Sequence, residues 1–149
     1  MEKLELKQFT QYLKSRPREF HKGDAGHVLI VGGNKGFSGA VRLAGEAALR
    51  VGAGLVTIAT HPEHVAFLNF SCPELMCHGV TSVDELTILL TKADIVIIGP
   101  GLGKDQWARM LLEVIFNSKK KLVVDADALN LLAENPIKKK SLDINTPSW

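Results

Sequence analysis

Asp94 to Gly103 reads DIVIIGPGLG. Its first half is a run of buried-type β residues, and its second half is a loop, Gly99 to Gly103, holding three glycines and one proline. Glycine has no Cβ and adopts positive φ without strain, so such a loop lets backbone N–H groups approach a ligand closely. A second run, Lys121 to Asp127, reads KLVVDAD and ends in two carboxylates instead. In an open α/β sheet ligands bind at the carboxyl ends of the strands. The ends of these two strands are therefore where a site is expected.

Working outward, apolar strands alternate with amphipathic helices, the pattern of a parallel sheet built from βαβ units. Strands are expected over His27–Val31, Leu55–Ala59, Leu75–Cys77 at an edge, from Ile95, and over Lys121–Val124. Helices are expected over Ser38–Val51, Pro62–Leu68, Ser82–Thr91, Asp105–Asn117 and Ala128–Glu134. In the first of these, Ala40, Leu43, Ala44, Ala47, Ala48 and Val51 fall on one face, with Arg42, Glu46 and Arg50 opposite. Ser82 and Glu85 have the spacing of a capping box. Trp107 and Phe116 read as core residues of their helix. Beyond Pro136 the pattern decays into IKKKSLDINTPSW, and the chain is expected to end unfinished.

The chain has 149 residues, 46% hydrophobic and 23% charged, which suits one domain with a substantial core. Its net charge of +2 is mild, with short lysine runs at 119–121 and 138–140. No basic stripe interleaved with aromatics argues for nucleic-acid binding. No apolar stretch approaches the roughly 20 residues of a membrane helix, so no membrane partner is expected. Two cysteines and no signal segment point to the cytoplasm.

Each chemical motif has a plain structural alternative. Gly32 to Ala40, GGNKGFSGA, follows a strand and opens a helix, an arrangement that can hold an anion. It lacks the P-loop spacing, and Gly101-Leu102-Gly103 fails the dinucleotide fingerprint because residue 106 is glutamine. One such loop would be a tight turn; two in one sheet favour a ligand. Asp125 and Asp127 can bind a sugar hydroxyl or a magnesium water, but helix capping explains one of them, Asp127 ahead of Ala128. His61, His64, Cys72, Cys77 and His78 match no closed zinc site, and Ser38 has no His/Asp relay.

Five segments carry a family resemblance: KGDAGHVLIVGGNKGFSGA, AALRVGAGLVTIAT, PEL with Met76, IGPGLG and VVDADALN. In order and spacing, from about Lys22 to Leu132, they resemble the NAD(P)H-hydrate dehydratases, repair enzymes once grouped with carbohydrate kinases. The resemblance implies a ribokinase-like α/β fold, a mostly parallel sheet with helices on both faces. It also implies the ADP- or ATP-dependent dehydration of (S)-NAD(P)H hydrate to NAD(P)H, by phosphorylation of the substrate's hydroxyl and phosphate elimination, with Mg2+ present. Carried over by position, the substrate-binding residues are Asn34, Lys35, Gly39, Ala40, Gly101, Gly103 and Asp125.

After DADALN, members continue with Thr-Pro-His-Pro-Gly-Glu, a nucleotide-binding stretch and a Gly-x-Gly-Asp motif bearing the base. This chain reaches Thr146-Pro147, gives Ser148-Trp149 and stops. The expectation is one partial domain over 1–149, the N-terminal half of the family fold. It comprises an N-terminal helix and lead-in over 1–21, a family-matching core over 22–135 and an irregular tail over 136–149. No catalytic residue is assigned within it. Parallel strands are normally covered on faces and edges, so a half-domain is expected to form a homo-oligomer. Two further readings share these residues: a noncatalytic dinucleotide-binding or assembly fragment, and a small-molecule kinase of the same fold.

Overall fold

A computed structural model describes residues 5–8, 10 and 17–134. The tail over 136–149 and most of the lead-in over 1–21 lie outside these residues, where Leu6–Gln8 form one 3-10 turn. Five strands follow, β1 (His27–Val31), β2 (Leu55–Thr60), β3 (Leu75–Gly79), β4 (Ile95–Ile98) and β5 (Lys121–Val124). The helices are α1 (Ser38–Arg50), α2 (Val65–Leu68), α3 (Val83–Lys92), α4 (Gln106–Asn117) and α5 (Ala126–Glu134).

All strand pairings are parallel, in the order β3-β2-β1-β4-β5. The central strand β1 aligns Leu29 with Thr57 on one side and Val96 on the other. Because side chains alternate along a strand, β1 feeds two cores. Leu29 and Val31 join Val96, Ile98, Leu111 and Ile115 under α3 and α4. Ile30 joins Val56, Ile58 and Leu75 under α1 and α2. This two-sided burial is why β1 and β4 read as unbroken apolar runs.

Helix α1 corrects the expected face. Val41, Gly45 and Ala48 are the buried residues, whereas Leu43 is 70% and Val51 88% exposed. The reason is Gly45: a Cβ there would lie 2.8 Å from Leu75 Cδ2 and 3.1 Å from Ile58 Cδ1. The helix crosses the sheet on its least bulky position, and Leu43 and Val51 are rotated outward. Helix α3 carries the expected capping box, with Ser82 Oγ accepting from Glu85 N–H and the Glu85 carboxylate accepting from Ser82 N–H. Helix α5 starts two residues earlier than expected, at Ala126, whose φ is +44°. Among the described residues no helix is long and apolar enough to cross a membrane.

Candidate functional site

The chain runs from β1 outward to β2 and β3, then returns to place β4 and β5 on the other side of β1. The sheet therefore reverses between β1 and β4, and such a reversal opens a crevice at the strands' carboxyl ends. The loop after β1, the loop after β4 and the turn after β5 all meet there.

Asn34 joins the first two loops. Its backbone N–H donates to the Gly101 carbonyl at 2.7 Å, and Gly33 N–H donates to the Pro100 carbonyl at 3.0 Å. The Asn34 side-chain Nδ2 donates to the Leu102 carbonyl at 3.1 Å and to Asp105 Oδ2 at 2.9 Å. Its Oδ1 accepts the Lys35 N–H at 2.8 Å. The side chain is buried, and its polar atoms are occupied within the protein. Asn34 is thus placed as a tie between loops. Burial alone would raise the Asp105 carboxyl, but the Ala108 N–H, the Asn34 amide and nearby His61 outweigh it and hold Asp105 below the ordinary aspartate range.

The third element is joined through Asp127. Its Oδ2 accepts the Gly103 N–H at 2.9 Å, so the aspartate expected to cap α5 lies in the helix's first turn and grips the β4 loop instead. The Gly103 amide is accordingly engaged. Gly99, at φ +129°, lets this turn close: a Cβ there would lie 1.8 Å from the Asp125 carbonyl oxygen. Asp125 donates its own N–H to the Ile98 carbonyl, extending the β4 to β5 ladder by one bond. Its side chain is exposed, and so is that of Lys35, which pairs with Glu63 at 3.3 Å.

What remains open at the crevice is narrower than the expected set. Phe37 precedes α1 and supplies no side-chain cap, so among the described residues the first N–H groups of that helix have neither an intrahelical acceptor nor one from the cap residue. Gly39 sits in this turn, exposed, and a Cβ added to it meets nothing within 4 Å. Ala40 faces Gly101, whose own Cβ would lie 3.3 Å from that of Ala40 and 2.7 Å from the Phe37 carbonyl oxygen. The crevice thus offers helix-terminal amides backed by a positive dipole end, with the Asp125 carboxylate at the same sheet edge. The structure brings all seven expected residues to one sheet edge, but ties Asn34 and the Gly103 amide to other parts of the protein.

The sequence offered His64 only within a set matching no zinc site and Asp105 only as the start of its helix, and the structure ties both to Asn34. His64 is buried, with Nε2 3.0 Å from the Asn34 carbonyl oxygen, and Asp105 caps α4 through the Ala108 N–H at 3.0 Å. Asp105 was legible as a cap from its place before the helix; its second bond was not. Trp107, expected in the core, is half-buried, donates its indole N–H to the Val80 carbonyl at 2.7 Å and packs edge-on to His61. Among the described residues, no three His, Cys, Asp or Glu side chains converge to hold a metal. A hollow of about 260 Å3 lies at the opposite sheet edge, lined by Leu49, Gly52–Gly54 and the segment 20–22.

The family model described as NAD(P)H-hydrate dehydratase matches residues 28–148. The chain is 56% identical over 133 residues to the bifunctional NAD(P)H-hydrate repair enzyme Nnr of Coxiella burnetii, covering 89% of this chain and 27% of that protein. A crystal structure of a ribokinase-like superfamily protein from Enterococcus faecalis superposes with a TM-score of 0.75 and 32% identity, over 83% of this chain and 44% of that one. The ADP/ATP-dependent NAD(P)H-hydrate dehydratase of Bacillus subtilis, co-crystallised with ATP/Mg2+, gives a TM-score of 0.64 and 26% identity, over 77% of this chain and 42% of that one. The chain spans about a quarter to a half of the length of these relatives.

Proposed function

The chain belongs to the NAD(P)H-hydrate dehydratase family and has its ribokinase-like fold, and from that premise we propose that it supplies the substrate half-site for (S)-NAD(P)H hydrate. In this reading the α1 amides around Gly39 and Ala40 and the backbone at Gly101 face the hydrated dinucleotide. Lys35 and Asp125 flank it, and Asn34 and Gly103 hold the loops. The whole reaction, ADP- or ATP-dependent dehydration to NAD(P)H, is proposed for the chain as part of that activity, with no base assigned to it.

One observation carries the reading. Gly99, Gly101 and Gly103 are crowded by protein atoms, whereas Gly39 has open space where a side chain would go. Glycine inside a helix costs about 0.5–1 kcal/mol relative to alanine, and packing gives no reason for it at this position. A ligand approaching the α1 N-terminus does. For magnesium the fit is partial, since Asp125 is a single exposed carboxylate and a Mg2+ ion is commonly held by one or two carboxylates, water and substrate phosphates. The ion is proposed with the nucleotide and not as a resident of this chain. A cytoplasmic location is part of the same reading. So is association between copies, supported by apolar surface left uncovered at Leu43, Val51 and Phe70.

Gly39→Ala tests the reading. The fold should be unchanged or more stable by up to about 1 kcal/mol, while calorimetric affinity for (S)-NADPH hydrate falls. Equal affinity in the two proteins would remove the half-site from α1. Recovery of reduced-nicotinamide absorbance on adding ADP or ATP with Mg2+ distinguishes a dehydratase from the alternative, a noncatalytic binding fragment. No relative described above supports a kinase of another small molecule.

A further inference from the structure

His64 is 6% exposed and has no part in the half-site as assigned. Its Nε2 lies 3.0 Å from the Asn34 carbonyl oxygen. A carbonyl only accepts, so Nε2 carries the proton of this hydrogen bond. Nδ1 is buried with no hydrogen-bond partner among the described residues. An unpaired buried polar atom costs about 1–3 kcal/mol, and it persists here because the ring is fixed from several sides. The ring belongs to the turn Pro62–His64 after β2 and packs edge-on against His61 at 6.2 Å and Phe67 at 5.6 Å.

On the other side of Asn34, Asp105 divides its carboxylate between two tasks. Oδ1 accepts from Ala108 N–H at 3.0 Å and caps α4, while Oδ2 accepts from Asn34 Nδ2 at 2.9 Å. Asn34 is therefore held at its carbonyl from the β2 side and at its amide from the α4 side. Between those two grips its own donors hold Gly101 and Leu102 of the β4 loop.

We infer that His64 and Asp105 are positioning residues acting through Asn34: they set the gap between the β1 and β4 loops, and hence the crevice's affinity for its dinucleotide, without touching that ligand. The inference rests on the half-site reading, and its test separates the two. The 149-residue chain is compared with Asp105→Ser, which keeps a capping oxygen but is too short to reach Asn34. It is also compared with His64→Phe, which fills space without donating, and with His64→Gln, which returns an N–H near the Nε2 position.

Asp105→Ser should lower the melting temperature through the lost hydrogen bond to a charged group, and at temperatures where both proteins are fully folded it should bind (S)-NADPH hydrate about tenfold more weakly. His64→Phe should weaken binding similarly and His64→Gln should recover most of it, while nitrogen NMR of the parent shows the Nε2–H tautomer. Parent-like affinity in Asp105→Ser and His64→Phe, affinity lost only in step with stability, or an Nδ1–H tautomer each overturns the inference. If the parent binds no hydrated NADPH, the half-site reading fails by itself. The positioning role is then decided by the Gly101 and Leu102 amide resonances, which must move in Asp105→Ser; unmoved resonances overturn it.

Discussion

At the amino edge of the sheet the loops leave a hollow of about 260 Å3, bordered by an exposed ion pair, Lys22 to Glu74 at 3.8 Å. At the carboxyl edge three loops close on one another until Gly99 has no room for a methyl group beside the Asp125 carbonyl. The hollow edge has space and little directed chemistry. The crowded edge has the α1 amides that Phe37 leaves without a side-chain cap, the exposed Asp125 carboxylate and the reversal of strand order. Concavity and chemistry have parted in this chain, and the crowding serves to aim the groups that remain open.

The comparison breaks most readily at Gly99. Gly99→Ala meets both an unfavourable φ and a backbone oxygen, so urea unfolding should show a loss of about 4 kcal/mol or more, if the protein folds at all. A loss under 1 kcal/mol would mean that the β4 loop and the β5 turn are not locked together. Asp127→Ala comes next. Removing the acceptor of the Gly103 N–H should cost about 1–2 kcal/mol, and the Gly103 amide should exchange faster with solvent; unchanged exchange would show the tie to be idle. The smallest effect belongs to the hollow edge. Lys22→Ala removes an exposed, long ion pair and should shift stability by less than about 0.5 kcal/mol, with calorimetric affinity for hydrated NADPH unchanged. A large change in either would make the amino edge more than a gap between loops.

How much of this was legible follows from how local each signal is. The strands over His27–Val31 and Lys121–Val124 were readable because apolar runs bounded by glycine or aspartate specify both their type and their ends. The α3 capping box was equally local. The buried face of α1 was not, because counting large apolar residues gives no weight to Gly45, whose value lies in how near Ile58 and Leu75 approach it. At the site, the resemblance named Gly39, Ala40, Gly101 and Asp125, which the fold gathers at one sheet edge. Whether an atom there is open or already bonded depends on partners far along the chain. Asn34 and Asp105 are 71 residues apart, and Gly103 and Asp127 are 24 apart. Pairing over such distances has no signature in a single sequence.

The strand order also sets a timetable. Central strand β1 meets β2 through residues 28 apart, as in Leu29 and Thr57, but meets β4 only through residues 67 apart, as in Leu29 and Val96. Loop closure must be met before distant contacts reward it, so the near pairing forms ahead of the far one. The crevice lies between the two strands that join late. A chain emerging from the ribosome no further than α3 would hold three paired strands and the core under α1 and α2, yet no crevice between β1 and β4; the edge proposed for the ligand is the last part of this sheet to come into being.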